Sequence, residues 1–193
     1  FAIMTDIKAA IFASGTGSNF EAIMDQHENL GCRVVLLVCD NPSAPVIEKA
    51  MMRGLETFVF NPKAYQTKAD YEEKIVQKLR ELHVEWIFLA GYMRIVGPTL
   101  LAEYEGHMIN VHPSLLPAFP GKDAIGQALA AGVTKTGVTI HYIDEGIDTG
   151  PIIAQQEIAI DPTDTKETLQ DKIHAVEHEL YPHLISELLK QKV

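Results

Sequence analysis

Ala9-Ala10-Ile11-Phe12-Ala13-Ser14-Gly15-Thr16-Gly17-Ser18-Asn19-Phe20 runs from a short apolar segment, through a turn with two glycines, into a helical pattern. Ala9 to Ala13 reads as a buried strand, and from Phe20 onward Phe20, Ile23 and Met24 share one helical face. Strand, glycine-rich turn and helix together open a parallel α/β unit. The same anatomy suits a phosphate, because glycines let the backbone approach and the first free helical N–H groups point at the anion. No Gly-Lys-Ser/Thr follows, so the turn is not a Walker loop, and Phe20 stands where a dinucleotide fingerprint needs its third glycine. A monophosphate fits better. By itself the motif fits a phosphate site and a plain capped βα turn equally well.

The alternation continues outward. Arg33 to Asp40 is a continuous apolar strand of the kind covered on both faces of a parallel sheet. Val46 to Arg53 is a short helix closed by Gly54. Leu55 to Phe60 is a third strand, Asn61 to Ala69 a polar loop, and Tyr71 to Leu82 a helix with Ile75, Val76 and Leu79 inward. Trp86 to Gly91 is a fourth strand, Pro98 starts a helix, and His107 to His112 is a fifth strand. This pattern predicts an α/β fold, a doubly wound and mostly parallel sheet with right-handed crossovers. Such sheets bind ligands at the C-terminal ends of their strands.

One of those ends stands out: Met108-Ile109-Asn110-Val111-His112-Pro113-Ser114-Leu115-Leu116-Pro117-Ala118-Phe119-Pro120-Gly121. Asn110 and His112 are two residues apart in a strand and project to the same face. Pro113 stops the ladder, and the further prolines stiffen the loop. An amide beside an imidazole at a rigid strand end can donate to a developing oxyanion and move a proton. The glycine turn, the Met93-Arg94 segment and this pair should meet at one sheet edge. Beyond it, Asp123 to Ala131 is a helix capped by Gly132, Thr136 to Ile143 an alternating strand, and Pro151 to Ile160 a last strand. Between those strands lies the acidic loop Asp144-Glu145-Gly146-Ile147-Asp148-Thr149-Gly150. Asp164 with Glu167 resembles a capping box. It opens a long terminal helix with Leu169, Ile173, Val176, Leu180, Leu184 and Leu188 as its apolar stripe.

The 193 residues suit one domain, spanning 1–193. A net charge of -10 argues against nucleic acid or an anionic membrane as partner, since phosphate backbones need a basic footprint. Cys32 and Cys39 do not form C-x-x-C and read as reduced thiols of a cytoplasmic protein. No apolar run approaches the roughly 20 residues of a membrane span. Asp6 and Lys8 interrupt any signal-like segment. Met4 reads as a candidate native start, with Phe1–Ile3 an addition ahead of it. His174-Ala-Val-Glu177-His178 matches H-x-x-E-H, an inverted zinc-protease pattern. Polar positions beside an apolar stripe explain it about ten times more readily, given how often such short motifs arise by chance. His27, His83, His107, His141 and His183 have no partner at ligand spacing, and the acidic loop lacks EF-hand spacing.

Ser14-Gly15-Thr16-Gly17-Ser18-Asn19, Leu89-Ala90-Gly91-Tyr92-Met93-Arg94-Ile95, Ile109 to Pro117 and Asp144 to Pro151 closely resemble, in order, the motifs of the folate-dependent formyltransferases, in particular the branch acting on glycinamide ribonucleotide in purine biosynthesis. The resemblance implies a Rossmann-like formyltransferase fold with a C-terminal antiparallel strand region. It implies formyl transfer from 10-formyltetrahydrofolate, a co-substrate, to the glycyl amine of 5′-phosphoribosylglycinamide, with no metal, in a monomer or homodimer. Residues 1–107 would mainly hold the ribonucleotide, and residues 108–193 would carry catalysis and folate binding. Gly17, Ser18 and Asn19 would hold the phosphate, and Glu177 would face the same substrate. Lys68, Met93, Arg94, Ile95, Val96 and Asn110 would line the folate pocket, with Asp144, Glu145, Gly146, Ile147 and Asp148 closing over the pterin. Asn110, His112 and Asp148 would be the catalytic trio. The sequence departs from many relatives at Lys122-Asp123-Ala124-Ile125, where they carry histidines. A formyltetrahydrofolate hydrolase would share the trio but usually carries an added N-terminal domain. A methionyl-tRNA formyltransferase would need a basic RNA-binding domain. A non-catalytic nucleotide-binding module would keep only the phosphate loop.

Overall fold

The computed structural model describes residues 6–192, so Phe1–Ile3 and Met4 lie outside the described residues. The elements are β1 (Lys8–Ala13), α1 (Ser18–Asp25), β2 (Arg33–Cys39), α2 (Pro45–Met52), β3 (Thr57–Val59), α3 (Lys68–Glu81) and β4 (Val84–Leu89). Then come α4 (Pro98–Tyr104), β5 (Met108–His112), α5 (Ala124–Ala131), β6 (Lys135–Tyr142), β7 (Ile152–Ala159) and α6 (Lys166–Lys192). The seven strands form one sheet in the order β3-β2-β1-β4-β5-β6-β7. Strands β1 to β5 pair in parallel, and β6 and β7 add an antiparallel flank. The order reverses at β1, whose neighbours are β2 and β4. That is the switch point where a doubly wound sheet opens a crevice.

Two buried clusters cover the two faces. Ile11, Phe20, Leu37, Phe88 and Ile109 pack with α1 and α6 on one side. Phe12, Leu36, Ile75, Leu79, Ile87 and Leu100 pack with α3 and α4 on the other. Adjacent residues of one strand, Ile11 and Phe12, therefore serve different cores, as the period of two requires. Both are fully buried, which explains the unbroken apolar runs.

Several boundaries move from the sequence expectation. α1 opens at Ser18, two residues early, because Gly17 supplies the turn. α3 begins at Lys68 inside the expected polar loop. Thr67 and Asp70 form a reciprocal capping box, which starts the helix inside that polar stretch. β3 shrinks to three residues, since the N–H of Leu55 is drawn back to the carbonyl of Ala50 at the end of α2. At α6 the cap is shifted by one residue: Thr165 and Thr168 exchange the reciprocal bonds, while Asp164 accepts from the Thr168 hydroxyl and pairs with Lys172.

The stripe of α6 is also corrected. The buried line runs Leu169, Ile173, Glu177, Tyr181, Ile185 and Leu188-Leu189, with Val176, Leu180 and Leu184 half-buried beside it. Glu177 and Tyr181 fall outside an apolar pattern, yet both sit in the middle of the seam. The Tyr181 hydroxyl bridges strands β4 and β5, donating toward the carbonyls of Leu89 at 2.9 Å and Ile109 at 3.3 Å. Tyr181→Phe should cost about 1–2 kcal/mol, because the carbonyls lose their side-chain donor in a dry interior. A thermal midpoint lower by several degrees would register it, and an unchanged midpoint would contradict the bridge.

Opposite, Glu72 of α3 is 1% exposed. Its carboxylate accepts from the N–H groups of Gly97 and Leu100, capping α4 from outside the helix. A Cβ on Gly97 would meet Glu72 Oε1 at 2.7 Å, so glycine is needed for this approach. Both bonds fix the segment that connects β4 to α4, which reaches the crevice.

Candidate active site

The first turn after β1 is shaped by Gly17, whose φ is 80° and whose added Cβ would stand 2.6 Å from Val46 Cγ2. Left-handed backbone and close packing against α2 both demand glycine there. α2 holds the turn further through the Val46 N–H on the Gly15 carbonyl and Lys49 Nζ on the Thr16 carbonyl. Gly17 is the N-cap of α1, and no side chain caps the helix. The N–H groups of its first turn are therefore free for an anion. Asn19, in that turn, donates from Nδ2 to Glu177 Oε1 at 3.3 Å, and its own Oδ1 is buried without a partner. Glu177 is 4% exposed, and burial pushes its carboxyl up to about 7, against the smaller opposing effect of the Asn19 bond.

The ends of β1, β2 and β4 are tied together by Asp40. Ser14 donates to its Oδ1 and Arg94 Nε to its Oδ2 at 3.0 Å, while Ser14 Oγ accepts the N–H of Met93 at 2.8 Å. Lys68 Nζ donates to the Ile95 carbonyl at 2.5 Å. Four residues expected at the folate thus lie on one segment clamped from two sides. Met93 and Ile95 expose their apolar side chains, and Val96 is buried in the α3–α4 core. Arg94 and Lys68 are engaged with the protein itself. In the sequence Asp40 reads only as the end of a strand; its place directly after the apolar run of β2 is the one signal for it.

At the end of β5 the expected pair meets the acidic loop. His112 Nδ1 lies 3.5 Å from Asp148 Oδ2, and His112 Nε2 lies 2.9 Å from the Phe119 carbonyl. A carbonyl only accepts, so Nε2 carries a proton in that contact. Asp148 Oδ2 also accepts the N–H of Gly121 at 2.7 Å, which pins the proline loop to the acidic loop. Asp148 itself has φ of 56°. An aspartate held in left-handed backbone and aimed at a buried imidazole is a costly arrangement of the sort that collects at functional sites. The Leu116-Pro117 bond of the loop is cis.

Asn110 completes the group through His141, a residue with no partner at ligand spacing in the sequence. Its Nδ2 lies 3.4 Å from His141 Nε2. His141 is 1% exposed and reaches Asp148 Oδ1 at 3.8 Å. Burial holds the imidazole of His141 below the usual histidine range, outweighing the Tyr142 carbonyl and Asp148. No spacing rule could have found it. It is Asn110's direct partner in the antiparallel β5–β6 register, which only the sheet reveals.

The remaining loop residues serve the loop first. Asp144 Oδ1 accepts from the Thr149 hydroxyl and, with smaller effect, from the Gly146 N–H, which lowers its carboxyl from the usual range. Glu145, Gly146 and Ile147 are exposed. At Lys122–Ile125, Asp123 caps α5 and pairs with Lys166, while Gln127 donates to the Pro120 and Lys122 carbonyls. Of the H-x-x-E-H match, His174 and His178 stack at 5.9 Å while Glu177 turns to Asn19. Among the described residues no group of three His, Cys, Asp or Glu side chains is placed to hold a metal ion. None of the described helices is long and apolar enough to cross a membrane. Cys32 and Cys39 are both free.

A doubly wound sheet with an amide, two imidazoles and a carboxylate gathered at its strand ends is the architecture of an α/β enzyme. The formyl transferase family model matches residues 7–185, and the chain belongs to that family. It is 56% identical over 184 residues to phosphoribosylglycinamide formyltransferase of Bacillus subtilis, covering 94% of each chain. The crystal structure of phosphoribosylglycinamide formyltransferase from Bacillus halodurans superposes with a TM-score of 0.94 at 52% identity, covering 96% of this chain and 97% of that one. Glycinamide ribonucleotide transformylase 1 from Geobacillus kaustophilus gives 0.93 at 56% identity, over 95% and 99%.

Proposed function

We infer that the chain transfers the formyl group of 10-formyltetrahydrofolate to the glycyl amine of 5′-phosphoribosylglycinamide, a step of purine biosynthesis. The similarity to the Bacillus subtilis enzyme, at 56% identity over 94% of both chains, carries this reading. The free N-terminus of α1 with Gly17, Ser18 and Asn19 suits the phosphate of the acceptor, and Glu177 beside Asn19 suits its sugar or amine. Lys68, the segment Met93 to Val96 and the loop Asp144 to Asp148 are assigned to the folate. Residues 1–107 then mainly serve the ribonucleotide and residues 108–193 the chemistry and folate, with Glu177 crossing over to the first part. We assign the protein to the cytoplasm, as a monomer or homodimer.

The chemistry follows from the groups in place. The amine nitrogen attacks the formyl carbon on N10, and the carbonyl π electrons move to oxygen. Asn110 N–H and a protonated His112 stabilise that oxyanion; one such donor is worth about 3 kcal/mol of barrier. Asp148 Oδ2 faces His112 Nδ1 at 3.5 Å and orients the ring. The carbon–N10 bond then breaks, and the proton lost by the amine passes to N10 through His112 or a water. Carbon-13 in the formyl group follows the reaction. The transferase delivers the label to a formamide on the ribonucleotide. Label in free formate would mean that water is the acceptor, and label left on the folate would mean a binding module.

A further inference from the structure

We propose that His141 is a positioning residue that holds the Asn110 amide with one N–H free for the reacting oxygen. The inference rests on the reading of Asn110 given above and deepens it. The ring of His141 is locked at one nitrogen: Nδ1 lies 2.9 Å from the Tyr142 carbonyl, which can only accept, so the proton sits on Nδ1. In the neutral ring Nε2 is then a lone pair. It faces Asn110 Nδ2 at 3.4 Å, and a lone pair there requires the nitrogen end of the amide, not the oxygen end, to turn toward it. One of the two amide N–H bonds is engaged, and the other keeps a fixed direction.

The alternative ring state would undo this. A proton on Nε2 would set donor against donor, and the amide would turn its oxygen toward His141 and withdraw its donor. The groups facing the ring are Asp148, Asp144 and His112 together with the Tyr142 carbonyl, and Asn110 itself. Asp148 and Asp144 favour the charged ring, while burial at 1% exposure and a charge on His112 oppose it. Position reinforces the chemistry. His141 and Asn110 are direct register partners on β6 and β5, so their separation is set by two paired strands rather than by a loop. An oxyanion donor must hold its direction closely, and a small displacement of a reacting group can cost about a hundredfold.

The test is a double-mutant cycle on kcat. His141→Leu alone is expected to lower kcat between about tenfold and a hundredfold, with both KM values little changed. In an Asn110→Ala background the same substitution should change kcat by less than about twofold, because there is no amide left to position. His141→Gln, whose amide oxygen can accept the same N–H, should recover most of the loss. The ring's nitrogen-15 signals should show Nδ1 protonated and Nε2 bare. A His141→Leu effect that persists undiminished in Asn110→Ala overturns the proposal, as does a proton found on Nε2. If Asn110→Ala is itself silent, the assignment of Asn110 falls, and the positioning role with it.

Discussion

Asn110→Ala is expected to lower kcat for formyl transfer by roughly a hundred- to a thousandfold, the cost of removing one aligned oxyanion donor. The alanine removes the amide without touching the strand: Asn110 is half-buried, and no backbone bond of β5 depends on its side chain. Because the donor matters only once charge develops on the formyl oxygen, both KM values should stay near those of the wild type. His112→Ala should cost at least as much, since it removes a donor and a proton carrier together. The double variant should lose far less than the product of the two effects, because both groups act on one oxyanion. Steady-state kinetics with purified proteins decides it. A large rise in KM at unchanged kcat would show that Asn110 binds substrate without serving the transition state.

Glu177→Gln should stabilise the folded protein by roughly 3 kcal/mol at pH 8 and by only about 1 kcal/mol at pH 5. The sign follows from the direction of the shift. Burial raises the carboxyl from 4.5 to about 7, so between these values the folded state binds a proton that the unfolded chain has released. Stability therefore falls as pH rises through that window and stays at its lower level above it. At about 1.4 kcal/mol for each pH unit the rise amounts to the figure given. Glutamine keeps the shape, and its amide oxygen can still take the Asn19 N–H, but it never has to ionise. Denaturant unfolding of both proteins at the two pH values measures the difference. Equal stability at pH 8 would mean that Glu177 ionises freely where it stands. A carboxylate kept at such a cost in the seam between α1 and α6 points to use, and the glutamine variant should bind the ribonucleotide more weakly as it gains stability.

The alternation of β and α, the parallel pairing of the first five strands and the two-faced core were legible because buried parallel strands are written as unbroken apolar runs. Arg33 to Cys39 is the plainest of them. Asn110 and His112 were legible because period two puts them on one face and a proline ends the strand. Contacts made across the sheet were not. His141 looked isolated because its partner stands 31 residues away, on a strand whose register the sequence does not print. The seam of α6 was misread for a related reason: Glu177 and Tyr181 are polar by composition, yet their polar atoms find Asn19 and the carbonyls of β4 and β5. Periodicity of apolar residues passes over a polar residue buried with its partner. The same blindness hid Asp40, a buried acid satisfied by Ser14 and Arg94 from distant parts of the chain.

The most direct test of the account is the release of tetrahydrofolate from 10-formyltetrahydrofolate by the purified protein, with and without 5′-phosphoribosylglycinamide and without added metal. The account predicts release that requires the ribonucleotide, proceeds in the presence of a chelator, and is abolished by His112→Ala. Release at the same rate without the ribonucleotide, or undiminished in His112→Ala, would contradict it.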